Sequence, residues 1–109
     1  MWLHKREVRH HVSNGKDILG EWLDELRDVV GHGLILKRIE RINEGNFGDH
    51  RSVGSGVWEI RIHYGPGYRI YYGEDGAKII LLLCGGDKGT QTNDIRKAQY
   101  LWAEYGREK

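Results

Sequence analysis

The chain has 109 residues, a length that fits one domain over residues 1–109 and is too short for two. Its 17 Lys and Arg against 16 Asp and Glu leave a formal net charge of +1, which argues against a uniformly basic nucleic-acid binder. A single Cys excludes an intramolecular disulfide and favours a reducing compartment, and no apolar run approaches the roughly 20 residues that cross a bilayer, so we expect a cytoplasmic protein that does not enter the membrane.

The first half of the chain predicts a strand followed by a helix hairpin. Residues 6–12 are extended in character and precede a turn. From Asp17, a common N-cap type, apolar residues recur every three or four positions and predict an amphipathic helix that ends at Gly31. The same spacing over residues 35–42 predicts a second helix, and Gly45 stands where a helix C-terminus favours glycine.

The second half predicts strands and a last helix. Residues 57–64 alternate strictly between apolar and polar, and a Gly-Pro-Gly turn connects them to residues 68–72, which do the same. Residues 78–84 are apolar on both faces, as in a central strand covered on each side, and Thr90 or Thr92 can cap the final helix. We expect an α+β domain with helices on one face of a mainly antiparallel sheet of four to five strands.

Charge is distributed unevenly along the chain. Residues 17–28 carry five carboxylates against one arginine, whereas residues 50–72 carry three arginines against one glutamate. This pattern indicates a basic sheet face backed by an acidic helix. The alternative is that these charged residues have no function beyond forming the solvent-exposed face of a helix or strand.

The predicted hairpin brings five polar side chains to one face of the sheet, if its register keeps the faces matched. They are Glu59, Arg61, His63, Arg69 and Tyr71. Arginine matches phosphate oxygens and histidine moves protons near neutral pH, so the set favours RNA phosphodiester cleavage without a metal. The catalytic candidates are Arg61, His63, Arg69, Tyr71 and Lys88. The alternative is a solvent-facing strand whose charges form cross-strand ion pairs.

Other cofactor chemistry finds little support in the residue spacing. His10 and His11 are adjacent and so point to opposite faces of a strand, and Cys84 has no nearby cysteine partner. The glycine-rich residues 85–89 lack the spacing of a nucleotide-binding loop. We therefore expect no metal and no other cofactor.

Four runs of sequence carry a family resemblance. They are residues 44–49, 59–72, 81–88 and 94–98, with Gly-Pro-Gly-Tyr-Arg in the second run and Cys-Gly-Gly-Asp-Lys in the third. They resemble the RelE/ParE toxin superfamily, and within it the HigB-like, phage-derived addiction module killer proteins, and the resemblance extends over roughly residues 6–105. The resemblance implies a RelE-like fold and a bacterial type II toxin that is neutralised by a cognate antitoxin, often a helix-turn-helix protein similar to HigA.

The resemblance also implies an activity. RelE-type toxins are ribosome-dependent endoribonucleases that cut mRNA in the A site and leave a cyclic phosphate, so the ribosome and mRNA become expected partners. Arg69 matches the phosphate-binding arginine of the superfamily, Arg61 falls at the basic position of the preceding strand, and Lys88 takes the place of a basic residue after the last strand. We expect substrate contacts from further basic residues of these segments, namely His50, Arg51 and Arg96.

The sequence departs from the RelE pattern at two points. Glu59 stands where a second lysine is expected, which leaves His63 or Tyr71 as the candidate general base. The catalytic tyrosine near the C-terminal helix of RelE has two possible counterparts, Tyr100 and Tyr105. Because ParE members of the same superfamily inhibit DNA gyrase and do no chemistry, a ParE-like inhibitor and a degenerate antitoxin-binding module remain alternatives.

Overall fold

The computed structural model describes residues 6–109, in which seven strands and three helices follow one another along the chain. The strands are β1 (Glu7–His10), β2 (Val12–Ser13), β3 (Lys16–Asp17), β4 (His50–Ser52), β5 (Trp58–Ile62), β6 (Tyr68–Asp75) and β7 (Ile79–Asp87). The helices are α1 (Ile18–Glu25), α2 (Val29–Asn43) and α3 (Gln91–Glu108), the last preceded by a single 3₁₀ turn (Lys88–Thr90).

Five of the strands form one sheet in the order β1-β7-β6-β5-β4, and β2 and β3 form a separate small hairpin. β1 runs parallel to β7, whereas the other pairs of the large sheet are antiparallel. The predicted α+β fold with a mainly antiparallel sheet and a C-terminal helix is confirmed. Within residues 6–109, none of the helices combines the length and the apolar character needed to cross a bilayer.

The helices lie on both faces of the sheet, so the prediction that they share one face is wrong. On one face, which we call the inner face, α1 and α2 pack against alternate residues of β5, β6 and β7. On the other, the outer face, α3 packs its Ala98 and Leu101 against Leu81 and Leu83 of β7. Because β7 is apolar on both faces, each face needs its own cover, and the long C-terminal helix supplies the second one.

The first helix ends earlier than predicted. α1 stops at Glu25, and Asp28 begins α2 by accepting a hydrogen bond from the backbone N–H of Gly31 at 2.9 Å. Gly31 therefore lies inside α2, where a Cβ atom would sit 2.5 Å from Cε2 of Tyr68. This glycine permits close packing of the helix on the sheet, and it does not end a helix. Gly45, with φ +85°, does follow the end of α2 as predicted.

The sheet extends further than the sequence predicts. β4 is an additional strand, and β7 continues past the expected end at Cys84 to Asp87. A Cβ atom on Gly85 would lie 2.6 Å from the ring of Trp22, and one on Gly86 would lie 1.8 Å from a carboxylate oxygen of Asp94. The side chains of Trp22 and Asp94 thus fill the space beside the backbone where the two glycines have no side chain. The strand can therefore continue through both glycines.

Candidate functional site

The buried carboxylate of Glu59 organises the polar side chains of the outer face. The residue is 0% exposed, and in the sheet it pairs with Arg51 of β4 and with Tyr71 of β6. Its Oε1 accepts a hydrogen bond from Nε of Arg51 at 3.0 Å. Its Oε2 accepts two, from the Tyr71 hydroxyl at 2.9 Å and from Nε2 of Gln91 at 3.0 Å. Glu59 is therefore held from two neighbouring strands and from the first residue of α3.

Two more arginines approach the same carboxylate without bonding to it. Nε of Arg69 lies 3.5 Å from Oε2, and Nε of Arg61 lies 3.7 Å from Oε1. Both Nε atoms are buried and have no hydrogen-bond partner within residues 6–109. The pairing of Arg61 with Arg69 across β5 and β6 confirms the predicted hairpin register. We call Arg51, Arg61 and Arg69 around Glu59 the arginine cluster.

The arginine cluster opens toward the surface to different degrees. The side chain of Arg51 is 49% exposed and that of Arg61 is 32% exposed, whereas that of Arg69 is only 9% exposed. Arg69 also donates from Nη1 to the carbonyl of Gly67 at 2.8 Å. Three cations around one carboxylate leave an excess of positive charge at this surface, which is suited to an anionic ligand.

Protonation of the cluster follows from its hydrogen bonds. Burial alone would raise the pKa of Glu59, but the hydrogen bonds from Gln91, Tyr71 and Arg51 and the charge of Arg51 outweigh it and hold that pKa below its usual value. Burial and the adjacent Glu59 raise the pKa of the Tyr71 hydroxyl far above its ordinary range. At neutral pH the pair is an ionised carboxylate with a neutral phenol donor.

The predicted role of Tyr71 in proton transfer to a substrate finds no support in the position of its hydroxyl. Tyr71 is fully buried, and its hydroxyl points at Glu59. A group in this position cannot touch a ligand at the surface, because the sheet and α3 enclose it. Tyr71 supports the carboxylate from within.

His63 lies at the rim of the cluster. β5 ends at Ile62, and the His63 side chain is 73% exposed, with Nε2 2.5 Å from Oδ2 of Asp49. This hydrogen bond, followed by the charge of Arg61, lowers the pKa of Asp49 against the opposing effect of burial. The backbone of Arg61 also donates to the carbonyl of Asp49 at 2.9 Å. An exposed imidazole held by a carboxylate is an arrangement that can move a proton.

Lys88 lies on the other side of the cluster, next to Arg69. Its backbone N–H donates to the carbonyl of Pro66 at 3.4 Å. A Cβ atom on Gly67 would be 3.5 Å from Cβ of Lys88 and 3.2 Å from Nη1 of Arg69, so the base of the Lys88 side chain and the Arg69 guanidinium both lie beside this turn. Asp87 fixes the following 3₁₀ turn by accepting hydrogen bonds from the backbone of Gly89 and Thr90. The sequence-predicted Lys88 is thus brought close to Arg69.

Several other candidates lie away from the arginine cluster. The His50 ring centroid lies 5.5 Å from the rings of Phe47 and Trp58, tilted against each, and because those residues pack against the inner-face core, His50 does not share the face of Arg51. Arg96 and Tyr100 are exposed farther along α3. The Tyr105 hydroxyl donates to Asp75, at the end of β6 opposite Arg69. Within residues 6–109 no group of three or more His, Cys, Asp or Glu side chains is placed to share a metal ion.

Two residues of the site escaped the sequence prediction, namely Asp49 and Gln91. Gln91 stands one helical turn before Ile95, on the same side of α3 as Ile95, Ala98 and Trp102, which pack on the outer face. A polar residue that extends an apolar stripe of a helix is the signal that would have indicated it. Asp49 carries no such signal, because β4 itself was not predicted.

Comparison with known proteins identifies the family. A model described as "Phage derived protein Gp49-like (DUF891)" matches residues 21–102, a stretch that includes the arginine cluster, Glu59 and Gln91. The chain is also 45% identical over 85 residues to a Haemophilus influenzae protein named "Uncharacterized protein", covering 78% of this chain and 86% of that one. The chain therefore belongs to the Gp49-like family of phage-derived proteins, a family associated with addiction module toxins of the RelE/HigB kind.

Proposed function

We propose that the protein is the toxin of a type II toxin-antitoxin module and that it cuts translated mRNA on the ribosome. In the proposed reaction the RNA 2′-oxygen attacks the adjacent phosphorus, the bond to the 5′-oxygen breaks, and a 2′,3′-cyclic phosphate and a 5′-hydroxyl end remain. The observation that carries the proposal is the arginine cluster, which holds three guanidinium groups around a single buried carboxylate.

Each part of the site has a role in this reaction. The guanidinium groups of the cluster, with Lys88 beside Arg69, stabilise the negative charge that develops on the phosphate oxygens. His63 accepts the proton of the 2′-hydroxyl, and Asp49 orients the imidazole and stabilises the imidazolium that forms. The leaving 5′-oxygen takes a proton from water at the exposed rim.

The near-neutral net charge of +1 limits binding to free RNA, because affinity for a polyanion scales with the number of phosphates that cations neutralise. We infer that the ribosome supplies most of the binding energy and presents the mRNA to the cluster. A cognate antitoxin of the helix-turn-helix, HigA-like type neutralises the toxin. In the proposed reaction neither a metal ion nor another cofactor is required.

A second candidate is a ParE-like inhibitor of DNA gyrase that does no chemistry. It is favoured by the complete burial of Tyr71 and Glu59. A network whose proton-bearing groups are inaccessible can serve solely to stabilise the sheet.

Primer extension on mRNA in a cell-free translation reaction tests the proposal. Wild-type protein should produce new 5′ ends only on messages that are being translated, and Arg69→Ala and Arg69→Lys should produce few or none, because neither retains the guanidinium fork. Arg41→Ala is the matched control, since Arg41 is exposed on α2 and lies outside the arginine cluster. Binding of the antitoxin by each variant confirms that it is folded.

The two candidates give opposite results. An absence of new 5′ ends with wild-type protein, together with blocked supercoiling by purified gyrase, would establish the ParE-like function instead. Full cleavage by both Arg69 variants would show that the catalytic surface lies elsewhere.

A further inference from the structure

Gln91 occupies a position that controls how the arginines meet Glu59. It is the first residue of α3, and its amide reaches back to the sheet to donate to Oε2 of the carboxylate at 3.0 Å. The Tyr71 hydroxyl donates to the same oxygen at 2.9 Å. Neither donor carries a charge at neutral pH.

A carboxylate oxygen has two lone pairs that accept strong hydrogen bonds. Tyr71 and Gln91 together occupy both lone pairs of Oε2. Nε of Arg69 lies 3.5 Å from the same oxygen. This nitrogen is buried and has no hydrogen-bond partner within the described residues. An unpaired buried N–H is costly, and the acceptor that Nε of Arg69 faces is already taken by Tyr71 and Gln91.

We propose that Gln91 is a positioning residue that keeps Arg69 available for a phosphate by occupying the acceptor site on Glu59 that Arg69 would otherwise take. This inference rests on the proposed function for its consequence in catalysis. Its structural content, namely which donors bond to Oε2, can be measured independently.

Removal of the Gln91 amide has a defined consequence. A free lone pair on Oε2 lies within reach of Nε of Arg69, and a bond from the charged guanidinium to the carboxylate is stronger than the bond from the neutral amide donor that it replaces. Arg69 would move onto Glu59 and become its internal counter-ion. The guanidinium would then no longer be free to hold a phosphate.

The chain offers a matched control on the same helix. Gln99 lies about two turns further along α3, is also half-buried, and donates from Nε2 to the carbonyl of Val53 at 3.0 Å. Gln91→Met and Gln99→Met each replace one hydrogen-bonding amide with an apolar chain of similar length. They differ in whether the lost bond ends on Glu59.

The Nε–Hε signals of the arginines in NMR spectra report the bonding directly. In Gln91→Met, the Arg69 signal should shift downfield and its hydrogen exchange should slow by at least about tenfold, because the N–H becomes hydrogen-bonded. Tyr71→Phe frees the other lone pair and should move the same signal in the same direction. In Gln99→Met the signal should stay at its wild-type position. An unchanged Arg69 signal in folded Gln91→Met and Tyr71→Phe would overturn the inference.

Cleavage kinetics give the second readout. Gln91→Met should lower kcat by about 10- to 100-fold with KM changed by less than about twofold, because the ribosome supplies the binding and only the reacting phosphate loses a contact. Gln99→Met should leave both constants near the wild-type values. Wild-type protein that does not cleave mRNA contradicts the proposed function, and the NMR comparison still decides the role of Gln91.

Discussion

At the scale of single residues, Glu59 is the side chain on which the outer face depends. Its charge lies in a fully buried position that is stable because Arg51, Tyr71 and Gln91 bond to it and two more cations lie near it. A buried charge network of this kind adds little to the free energy of unfolding compared with apolar residues at all of its positions. Removal of a single member, however, leaves the others buried and unpaired. Single substitutions should therefore be far more damaging than their contacts suggest.

Glu59→Ala should lower the free energy of unfolding by about 3 kcal/mol, because it leaves Arg69 and Tyr71 buried without their partner. Tyr71→Phe should cost less, about 2 kcal/mol, since it removes one hydrogen bond to the ionised carboxylate and Glu59 keeps its other donors. Urea denaturation followed by tryptophan fluorescence measures both. Equal costs for the two variants would show that the carboxylate is not the centre of the network.

The stability of the cluster should depend on pH in a defined direction. Because the pKa of Glu59 is lower in the folded protein than its ordinary value, its contribution is fully present above about pH 5 and is lost as the pH falls through the folded-state pKa. The difference in unfolding free energy between wild type and Glu59→Gln should therefore shrink as the solution is acidified. A difference that is constant or grows below about pH 4 would contradict the assignment.

The alternating strands were predictable residue by residue, whereas the contacts between elements were not. The period of two over β5 and β6 gave the correct pairing of Arg61 with Arg69, because register follows from the buried face. His63 was predicted on this face, but its bond to Asp49 could not be predicted, since β5 ends one residue before His63 and Asp49 immediately precedes a strand that the sequence did not indicate. Gln91 reaches Glu59 only because α3 covers the outer face.

At the scale of elements, the junction of α1 and α2 shows how a local signal can mislead. Gly31 was predicted to end a helix, yet it lies within α2, as does Gly33. Asp28 begins that helix, and the Tyr68 hydroxyl of β6 donates to its carboxylate at 2.7 Å. The N-cap residue of α2 is thereby hydrogen-bonded to the inner face of the sheet. Helix propensities do not include such a contact between elements.

The two glycines of α2 should respond oppositely to alanine. Gly31→Ala should destabilise the protein, because the new Cβ would lie 2.5 Å from the buried ring of Tyr68. Gly33→Ala should stabilise it by about 0.5–1 kcal/mol, since nothing lies within 4 Å and alanine favours the helix. Thermal unfolding of both variants is the measurement. A gain in stability for Gly31→Ala would show that α2 can move away from β6 at little cost.

At the scale of the whole molecule, the net charge of +1 conceals a separation of charge. The cations of the arginine cluster lie on the outer face with α3, and the acidic α1 packs on the inner face. Both the predicted basic sheet face and the acidic helix have definite places in the fold. The predicted architecture was wrong in placing every helix on one face of the sheet. The periodicity of a strand shows which of its faces are buried, but it does not show which element covers each face.

Binding of a single-stranded RNA oligonucleotide should weaken as salt is raised. With the three arginines of the cluster and Lys88 as phosphate contacts, the slope of log K against log salt concentration should be about −3, and Arg69→Ala should reduce its magnitude by about 0.7. Fluorescence anisotropy at several salt concentrations gives the slope. A slope near zero would exclude the cluster as a phosphate-binding surface.

The parallel pairing of β1 with β7 has a consequence for synthesis. Glu7 pairs with Ile79, so the first strand of the large sheet leaves the ribosome well before its partner exists. Gln91 and the rest of α3 follow later still, and the outer face cannot close without them. A nascent or prematurely terminated chain that lacks α3 therefore carries the arginine cluster without the hydrogen bond from Gln91, and the outer face is covered only on chains that are almost complete.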